Sequence, residues 1–298
     1  MSRAVALVSD STSVHAELAQ RFDVIIVPLQ VVIGAKAYDE GSGASPETVA
    51  AALKARTSVS TSRPSPEAFL RVYERASKDG ADAVVSVHLS SEVSGTFDSA
   101  ELAARRASIP VYVVDSRQLG MATGFAVQSA AEALDRGADA EEAAAVASSR
   151  AAAMTALFYV DTLEHLRRGG RVGTTAALLG SALAVKPLLK VEDGCIVALE
   201  KVRTSAKALN RMQELAVAAA GDEDVDVAVS HLANAAGAEA LASQLKERLP
   251  QLDHVVVTQV GAVIGAHVGP GMLAVVVAPR QPQRLDEATD SAQEDDSG

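Results

Sequence analysis

Cysteine is almost absent from this sequence: Cys195 is the single cysteine among 298 residues. A disulfide within the chain is therefore impossible, and a metal site built from several cysteines is excluded. Tryptophan is absent as well. A chain without disulfides suits a reducing compartment, so we expect a cytoplasmic location.

Positive charge is also in short supply. The chain has 27 lysines and arginines against 38 aspartates and glutamates, which gives a formal net charge of −11. A nucleic-acid-binding protein needs a basic face to neutralise phosphates, so this class of function is disfavoured. Tight adhesion to an anionic lipid surface is disfavoured for the same reason.

Long hydrophobic runs are missing too. The longest, Thr174–Leu189, is interrupted by Lys186 and Pro187 and is too short to span a bilayer. The first residues are apolar only as far as Val8, before Ser9 and Asp10, which does not fit a signal peptide. We therefore expect no stable membrane insertion.

Familiar catalytic motifs do not occur either. The sequence contains no Gly-x-x-x-x-Gly-Lys phosphate loop, no Gly-x-Gly-x-x-Gly after a strand and no Gly-x-Ser-x-Gly nucleophile elbow. Its six histidines show no metal-ligand spacing. We therefore predict a protein that is not an enzyme and that has no ATP site, metal or cofactor of its own.

Short Val-rich runs alternate with amphipathic stretches through most of the chain, which is typical of an α/β fold. Continuous apolar runs without alternation indicate strands covered on both faces, as in a mostly parallel sheet. In the first half, such runs are Ala4–Val8, Val24–Val32, Ala83–Val87 and Val111–Val114.

The pattern changes after about residues 155–165, where we place a domain boundary. We predict an N-terminal α/β domain at 1–160, with a mostly parallel sheet flanked by helices, and a C-terminal α/β domain at 161–280. Val185–Val191 and Cys195–Val202 should form a hairpin around Asp193-Gly194, a favoured turn dipeptide. The polar, acidic stretch 281–298 is predicted to be a disordered tail.

Hydroxyl-rich turns follow several predicted strands. They are Asp10–Ser13, Ser90–Thr96 and Asp115–Arg117, and a further cluster spans Ser58–Ser65. Each alone could simply cap a helix. Ligands of open α/β sheets bind beyond the carboxyl ends of the strands, however, so converging turns could also cradle a small anion.

Three cationic or glycine-rich segments are further candidates. Arg167, Arg168 and Arg171 surround Gly169-Gly170, where the guanidinium groups either complement a helix C-terminus or clamp an anion. His267 is predicted to lie in a glycine-rich turn that a ligand could approach. Arg203, near the end of a predicted strand, belongs either to a solvated end or to a docking surface.

Taken in order, these segments resemble the DegV family from about Ala4 to Val277. The fragments that carry the resemblance are Asp10-Ser11-Thr12, Thr61-Ser62-Arg63-Pro64-Ser65, Ser90-Ser91-x-x-Ser94-Gly95-Thr96, Asp115-Ser116, Gly169-Gly170-Arg171, Lys186-Pro187, Asp193-Gly194, Arg203-Thr204 and Ile264-Gly265-x-His267-x-Gly269-x-Gly271. The acidic C-terminal extension is not part of the family pattern.

The resemblance implies a two-domain fold that holds a long-chain fatty acid between its lobes. By matching motif positions, Thr61 and Ser94 would hold the carboxyl group. His267 would orient a hydroxyl or supply charge, and Arg171 would raise the local positive potential. Residues expected to support this site are Ser62, Gly95, Thr96, Asp115 and Ser116.

The resemblance also implies a partner. Family members with known activity bind a fatty acid kinase catalytic subunit, which phosphorylates the bound acid to an acyl-phosphate for phospholipid synthesis. Arg203 would be a contact for that subunit. We expect a monomer that carries its fatty acid without a cofactor.

Two other hypotheses remain open at this stage. The protein could be a carrier or sensor of another small anion. It could also be a hydrolase in which Ser94, His267 and Asp115 form a catalytic triad, although Ser94 lacks the elbow motif.

Overall fold

The computed structural model describes residues 4–13, 15–172, 186–252 and 255–280. The acidic tail at 281–298 lies outside these residues, as do Val185 and most of the apolar run that begins at Thr174. None of the helices in these ranges combines the length and the hydrophobicity of a membrane-spanning segment.

Strands and helices alternate along the chain. As far as residue 168 they are β1 (Val5–Asp10), α1 (Ala16–Arg21), β2 (Val24–Val27), β3 (Gln30–Ile33), β4 (Lys36–Asp39), α2 (Pro46–Lys54), β5 (Val59–Ser62), α3 (Pro66–Lys78), β6 (Ala83–His88), α4 (Thr96–Ala104), β7 (Val111–Asp115), α5 (Met121–Asp135), α6 (Ala140–Ala152), β8 (Thr155–Tyr159) and α7 (Glu164–Arg168). The described residues that follow form β9 (Lys186–Glu192), β10 (Cys195–Val202), α8 (Ser205–Ala220), β11 (Val225–His231), α9 (Ala235–Arg248), β12 (Val255–Gln259), α10 (Ala262–Val268) and β13 (Leu273–Pro279).

The first sheet has the strand order β2-β1-β6-β7, and all neighbouring strands are parallel. Successive side chains of a strand point to opposite faces, and both faces of β6 are covered. Val84 packs with Phe69 and Tyr73 of α3, whereas Val85 packs with α5 and α6. The prediction of a mostly parallel N-terminal sheet flanked by helices is confirmed.

The second sheet has six strands in the order β10-β9-β8-β13-β11-β12, and only β11 and β12 are parallel. Ala156 of β8 packs with α5 and α6, and Leu157 faces α8 and α9. Helices α5 and α6 therefore form a layer shared by both sheets. Strand β8 ends near the predicted boundary at residue 160; the division into 1–160 and 161–280 stays a prediction.

The predicted hairpin is present as the antiparallel pair β9 and β10. Asp193 and Gly194 both have positive φ, at 50° and 81°. Two central residues with positive φ make a turn whose twist matches that of the flanking strands. This part of the prediction is confirmed.

A small antiparallel sheet with the order β4-β3-β5 corrects the prediction of one strand at Val24–Val32. The run divides at Pro28 and Leu29, because proline has no N–H to donate to a strand ladder. β2 stays in the first sheet, and β3 leaves it to pair with β4 and β5. In this pairing, Val31 lies opposite Thr61.

The predicted glycine-rich turn around His267 is also wrong. Residues Ala262–Val268 form α10, and His267 lies in its last turn. Gly265 fits inside this helix because Leu232 packs against it; a β-carbon there would lie 3.2 Å from a methyl carbon of Leu232. Gly269, with φ of 76°, ends the helix.

Candidate functional site

The predicted site residues Thr61, Ser94, Arg171 and His267 line one cavity of about 340 Å³. We call it the head cavity. β5 supplies Thr61, the loop after β6 supplies Ser94, the segment after α7 supplies Arg171, and α10 supplies His267. The other residues of its lining are Leu29, Ser62, Arg63, Leu89, Val93, Gly95, Leu119, Leu166, Ile196, Val263, Ile264 and Val268.

Thr61 and His267 are in direct contact although 206 positions separate them in the chain. The distance from Oγ1 of Thr61 to Nε2 of His267 is 2.8 Å. The contact forms because Ala262, Val263 and Ala266 of α10 pack with Val31 of β3 and with Val59 of β5. The imidazole therefore orients the threonine hydroxyl in the cavity.

Burial, together with the positive charge of Arg171, lowers the pKa of His267 to about 4. The ring is therefore neutral at pH 7. Of the two predicted roles for His267, this favours orienting a hydroxyl over supplying charge. Gly169 allows the close packing of the ring against α7, since a β-carbon at this position would clash with Nδ1 of His267.

The low pKa of His267 predicts how the folding stability of the protein depends on pH. Its ordinary value is 6.5, so between pH 6.5 and about 4 the unfolded chain binds a proton that the folded chain does not. Folding stability should therefore fall with decreasing pH across this window, by on the order of 3 kcal/mol. Urea unfolding of wild type and His267→Gln at pH 7.5 and 4.5 measures the effect, because glutamine does not titrate.

The wild-type loss of stability on acidification should exceed that of His267→Gln. Arg171→Gln should give an intermediate loss, because the guanidinium of Arg171 contributes to the low pKa. Equal losses of stability in all three proteins would show that burial does not lower the pKa of His267.

Ser94 lies in the loop that joins β6 to α4, and its Oγ is 2.8 Å from Oγ1 of Thr96. Asp115 holds this loop in place by accepting hydrogen bonds from the amide and hydroxyl of Ser91, at 3.2 and 2.6 Å. Ser90 anchors the loop to the hairpin by donating to the carbonyl of Gly194 at 2.8 Å. Ser94 thus lies beside the N-terminus of α4, where backbone amides and hydroxyl groups can bind an anion.

The residues predicted to support the site fall into three groups. Ser62 and Gly95 line the head cavity, and Thr96 reaches it through Ser94. Asp115 and Ser116 lie outside the lining; Ser116 instead contacts Thr123 at 2.9 Å. Asp115 therefore positions the loop that carries Ser94 and does not face the cavity.

Two arginines flank Ser94. Nε of Arg171 donates to the carbonyl of Val93 at 3.1 Å, and Nη1 of Arg63 lies 3.5 Å from the carbonyl of Gly95. Arg63 was not among the predicted site residues, although it lies between Ser62 and Pro64 in one of the motif segments. Together, the two guanidinium groups make this end of the cavity attractive to a carboxylate or a phosphate.

Apolar residues line the other end of the head cavity, and beside it lies a second cavity, of about 60 Å³, which we call the narrow cavity. The two share Leu119, Ile196, Ile264 and Val268. Further apolar residues of the narrow cavity are Met121, Ala156, Leu157, Phe158, Val191, Val260, Met272, Ala274 and Val276. The site thus places a polar, positively charged end next to apolar walls.

The predicted Ser94–His267–Asp115 triad is not assembled. The side chain of Ser94 contacts Thr96, His267 contacts Thr61, and Asp115 accepts from Ser91. No relay of hydrogen bonds therefore activates Ser94 as a nucleophile, because a triad needs the base within reach of both other groups. The described residues also contain no cluster of three or more potential metal ligands.

A different Ser-His-Asp chain lies inside the protein. Nδ1 of His88 is 3.2 Å from Oδ2 of Asp10, and its Nε2 is 2.7 Å from Oγ of Ser86. All three side chains are 0% exposed, and Ser86 also contacts the hydroxyl of Tyr73 at 2.9 Å. This network is closed to substrates and holds the first sheet together.

Comparisons with known proteins point to one family. The family model described as an uncharacterised protein of the DegV family matches residues 4–280. A DegV domain-containing protein of Streptomyces coelicolor is 52% identical over 281 residues, covering 94% of this chain and 100% of the relative. One of Mycobacterium tuberculosis is 36% identical over 275 residues, covering 92% and 96%.

Solved structures give the same result. DegV of Bacillus subtilis, described as a fatty acid binding protein, has a TM-score of 0.86 and 33% identity, covering 94% of this chain and 100% of that one. A DegV family protein of Thermus thermophilus, described by its fatty acid binding, has a TM-score of 0.87 and 32% identity with the same coverage. The chain belongs to the DegV family.

Proposed function

We propose that this protein binds a long-chain fatty acid, with the carboxylate at Thr61 and Ser94 and the acyl chain along the apolar walls of the head cavity and the narrow cavity, and presents the acid to a kinase catalytic subunit. The observation that carries the proposal is the shape of the site: distant hydroxyls and arginines meet at one end of a cavity that is otherwise apolar. Fatty acids have this combination of an anionic head and an apolar tail.

The tail supplies most of the binding free energy. Burial of one methylene gains about 0.8 kcal/mol, so a sixteen-carbon chain gains on the order of 10 kcal/mol. The association entropy offsets several kcal/mol of this gain. The head then fixes the orientation of the acid, because a carboxylate in an apolar cleft must find donors or take up a proton.

Hydroxyl donors suit a carrier because they hold the carboxylate without reacting with it. Thr61 and Ser94 would donate to its oxygens, neutral His267 would orient Thr61, and Arg171 would add positive potential. Ser62 and Arg63 are exposed, so the head group would lie close to the surface, where a partner enzyme can reach it.

The partner is proposed from the family resemblance. A kinase catalytic subunit would supply ATP and transfer its terminal phosphoryl group to a carboxylate oxygen of the bound acid, giving an acyl-phosphate and ADP. Arg203, which is exposed after β10, is the proposed docking contact. In this division of labour, the present protein holds and presents the substrate and performs no chemistry alone.

Native mass spectrometry of the purified protein, repeated after denaturation, tests the function. We expect one fatty acid of about C14–C18 per chain, and the delipidated protein should take up one equivalent of hexadecanoic acid. A delipidated protein that ignores C14–C18 acids but takes up another small anion would overturn the proposal. Incubation of the loaded protein with ATP should give acyl-phosphate only when a kinase subunit is added, and Arg203→Ala should slow that reaction without changing fatty acid binding.

A further inference from the structure

Glu40 is a buried residue that lies outside the head cavity and is hydrogen-bonded to two of its walls. It is 8% exposed and borders a third cavity, of about 650 Å³. One carboxylate oxygen accepts from the amide of Val263 at 2.7 Å. The other accepts at 2.6 Å from Oγ of Ser11, which in turn accepts from the amide of Leu29 at 3.0 Å. Val263 and Leu29 both line the head cavity, so this carboxyl can act on a ligand there only through its neighbours.

The bond to Val263 supplies a cap that α10 does not have in its own sequence. The residue before the helix is Gly261, which has no side chain to accept from the free amides of the first turn. Glu40 takes this role from 223 positions away. Glycine makes room for the carboxylate, since a β-carbon at this position would clash with Oε1 of Glu40. The first turn of α10 is therefore held by the residue that follows β4.

The other end of α10 carries His267, whose Nε2 lies 2.8 Å from Oγ1 of Thr61. The helix has only seven residues, so a displacement of its first turn also moves the imidazole. Leu29 and Val263 pack in one apolar cluster, and the amide of Glu40 donates to the carbonyl of Leu29 at 2.9 Å. The backbone and the side chain of Glu40 thus hold both walls of the head cavity in one arrangement.

We propose that Glu40 is a positioning residue of the fatty acid site: its hydrogen bond to the first turn of α10 places His267, and through it Thr61, where the carboxylate of the bound acid needs a donor. This inference rests on the proposed fatty acid function and adds a residue that acts through Thr61 without touching the ligand. Burial raises the pKa of Glu40 to about 7, and an oxygen that can accept from Val263 is present in both protonation states. Glutamine keeps such an oxygen, whereas alanine removes it.

A double-mutant cycle between Glu40→Ala and Thr61→Val tests the proposal, with isothermal titration of the delipidated full-length proteins with hexadecanoic acid. We expect Glu40→Ala alone to weaken binding about ten-fold, as the loss of one hydrogen bond to a carboxylate predicts. In the Thr61→Val background it should weaken binding less than three-fold, because no hydroxyl remains there to be positioned. Glu40→Gln should bind within three-fold of wild type.

Gly261→Ala approaches the same contact from the other side, because its added methyl group displaces the carboxylate oxygen of Glu40. It should weaken hexadecanoic acid as Glu40→Ala does, and it replaces Glu40→Ala in the cycle if that variant does not fold. Asp226→Ala is the matched control: it breaks an ion pair with the buried Arg150 at 2.6 Å and lines none of the three cavities. It should lower the free energy of unfolding in urea and leave the affinity for hexadecanoic acid within three-fold of wild type.

Equal losses of affinity from Glu40→Ala in the wild-type and Thr61→Val backgrounds would overturn the inference while the fatty acid function stands. The same holds if Glu40→Ala and Gly261→Ala leave binding unchanged, or if Glu40→Gln binds as weakly as Glu40→Ala. If the wild type binds no hexadecanoic acid, the proposed function and this inference fall together.

Discussion

The double variant Thr61→Val, Ser94→Ala is expected to bind hexadecanoic acid at least about a hundred-fold more weakly than wild type. Each substitution removes one hydroxyl donor from the end of the head cavity where we propose that the carboxylate binds. A hydrogen bond to a charged group contributes about 1.5–3 kcal/mol, so two of them correspond to a hundred-fold or more in affinity. Valine has nearly the shape of threonine, and the cavity keeps its apolar walls.

Isothermal titration of the delipidated proteins with hexadecanoic acid and with hexadecan-1-ol separates the head from the tail. The uncharged alcohol should bind the double variant and the wild type within a few-fold, because the tail contacts are retained. The matched control is Ser60→Ala, Ser243→Ala, which removes two exposed hydroxyls outside the cavities; Ser60 lies on β5 beside Thr61 and points to the opposite face. If the Thr61→Val, Ser94→Ala variant binds hexadecanoic acid within three-fold of wild type, Thr61 and Ser94 do not hold the carboxylate.

Asp10→Ala is expected to lower the free energy of unfolding by about 3–5 kcal/mol, because it removes one partner of a buried charged network. The Asp10 carboxylate is 0% exposed and accepts four hydrogen bonds. Oδ1 accepts from the amide and hydroxyl of Thr12, at 3.0 and 2.6 Å. Oδ2 accepts from the amide of Leu89 at 3.0 Å and contacts Nδ1 of His88 at 3.2 Å. Alanine leaves these groups buried without their acceptor.

Urea unfolding at pH 7 measures the loss, with Asp79→Ala as the control. Asp79 pairs with Arg75 at 2.7 Å, but its side chain is 57% exposed, and exposed ion pairs contribute about 1 kcal/mol or less. Similar losses in the two variants would refute the structural role assigned to Asp10.

The contribution of Asp10 to the free energy of unfolding should also depend on pH. Burial alone would raise the pKa of this carboxyl, but the hydrogen bonds and charge of His88, together with Thr12 and Leu89, hold it below the ordinary 3.8. Because the folded pKa is lower than the unfolded one, the carboxylate stabilises the fold above pH 3.8, and this contribution is lost as the pH falls through the folded value. The difference between wild type and Asp10→Ala should therefore shrink in acid.

Local signals in the sequence account for most of the regular elements. Helix-capping signals are local: Ser65 caps α3 (Pro66–Lys78), which begins with proline. The hairpin at Asp193-Gly194 followed from turn chemistry. The parallel sheet followed from uninterrupted valine runs, which need cover on both faces.

The elements that were predicted incorrectly have weak or conflicting local signals in the sequence. Val59–Ser62 is polar and rich in hydroxyls, so it was interpreted as a cluster before a helix, yet its pairing with β3 makes it a strand. Ala262–Val268 contains a glycine and is followed by two more, which favours a turn. Packing against Leu232, Val31 and α2 outweighs that preference and makes it a helix.

The α/β class, the hairpin and, through the order of the motifs, the residues predicted for the site follow from the amino-acid sequence alone. Each of these depends on a short window, within which capping, turn geometry and hydrophobic periodicity act. Packing between distant elements, by contrast, brings Thr61 to His267, makes Asp115 and Asp10 support a loop and a sheet, and places Arg63 in the lining of the head cavity. These contacts depend on how sheets and helices distant in the chain pack together, and no local pattern encodes that packing.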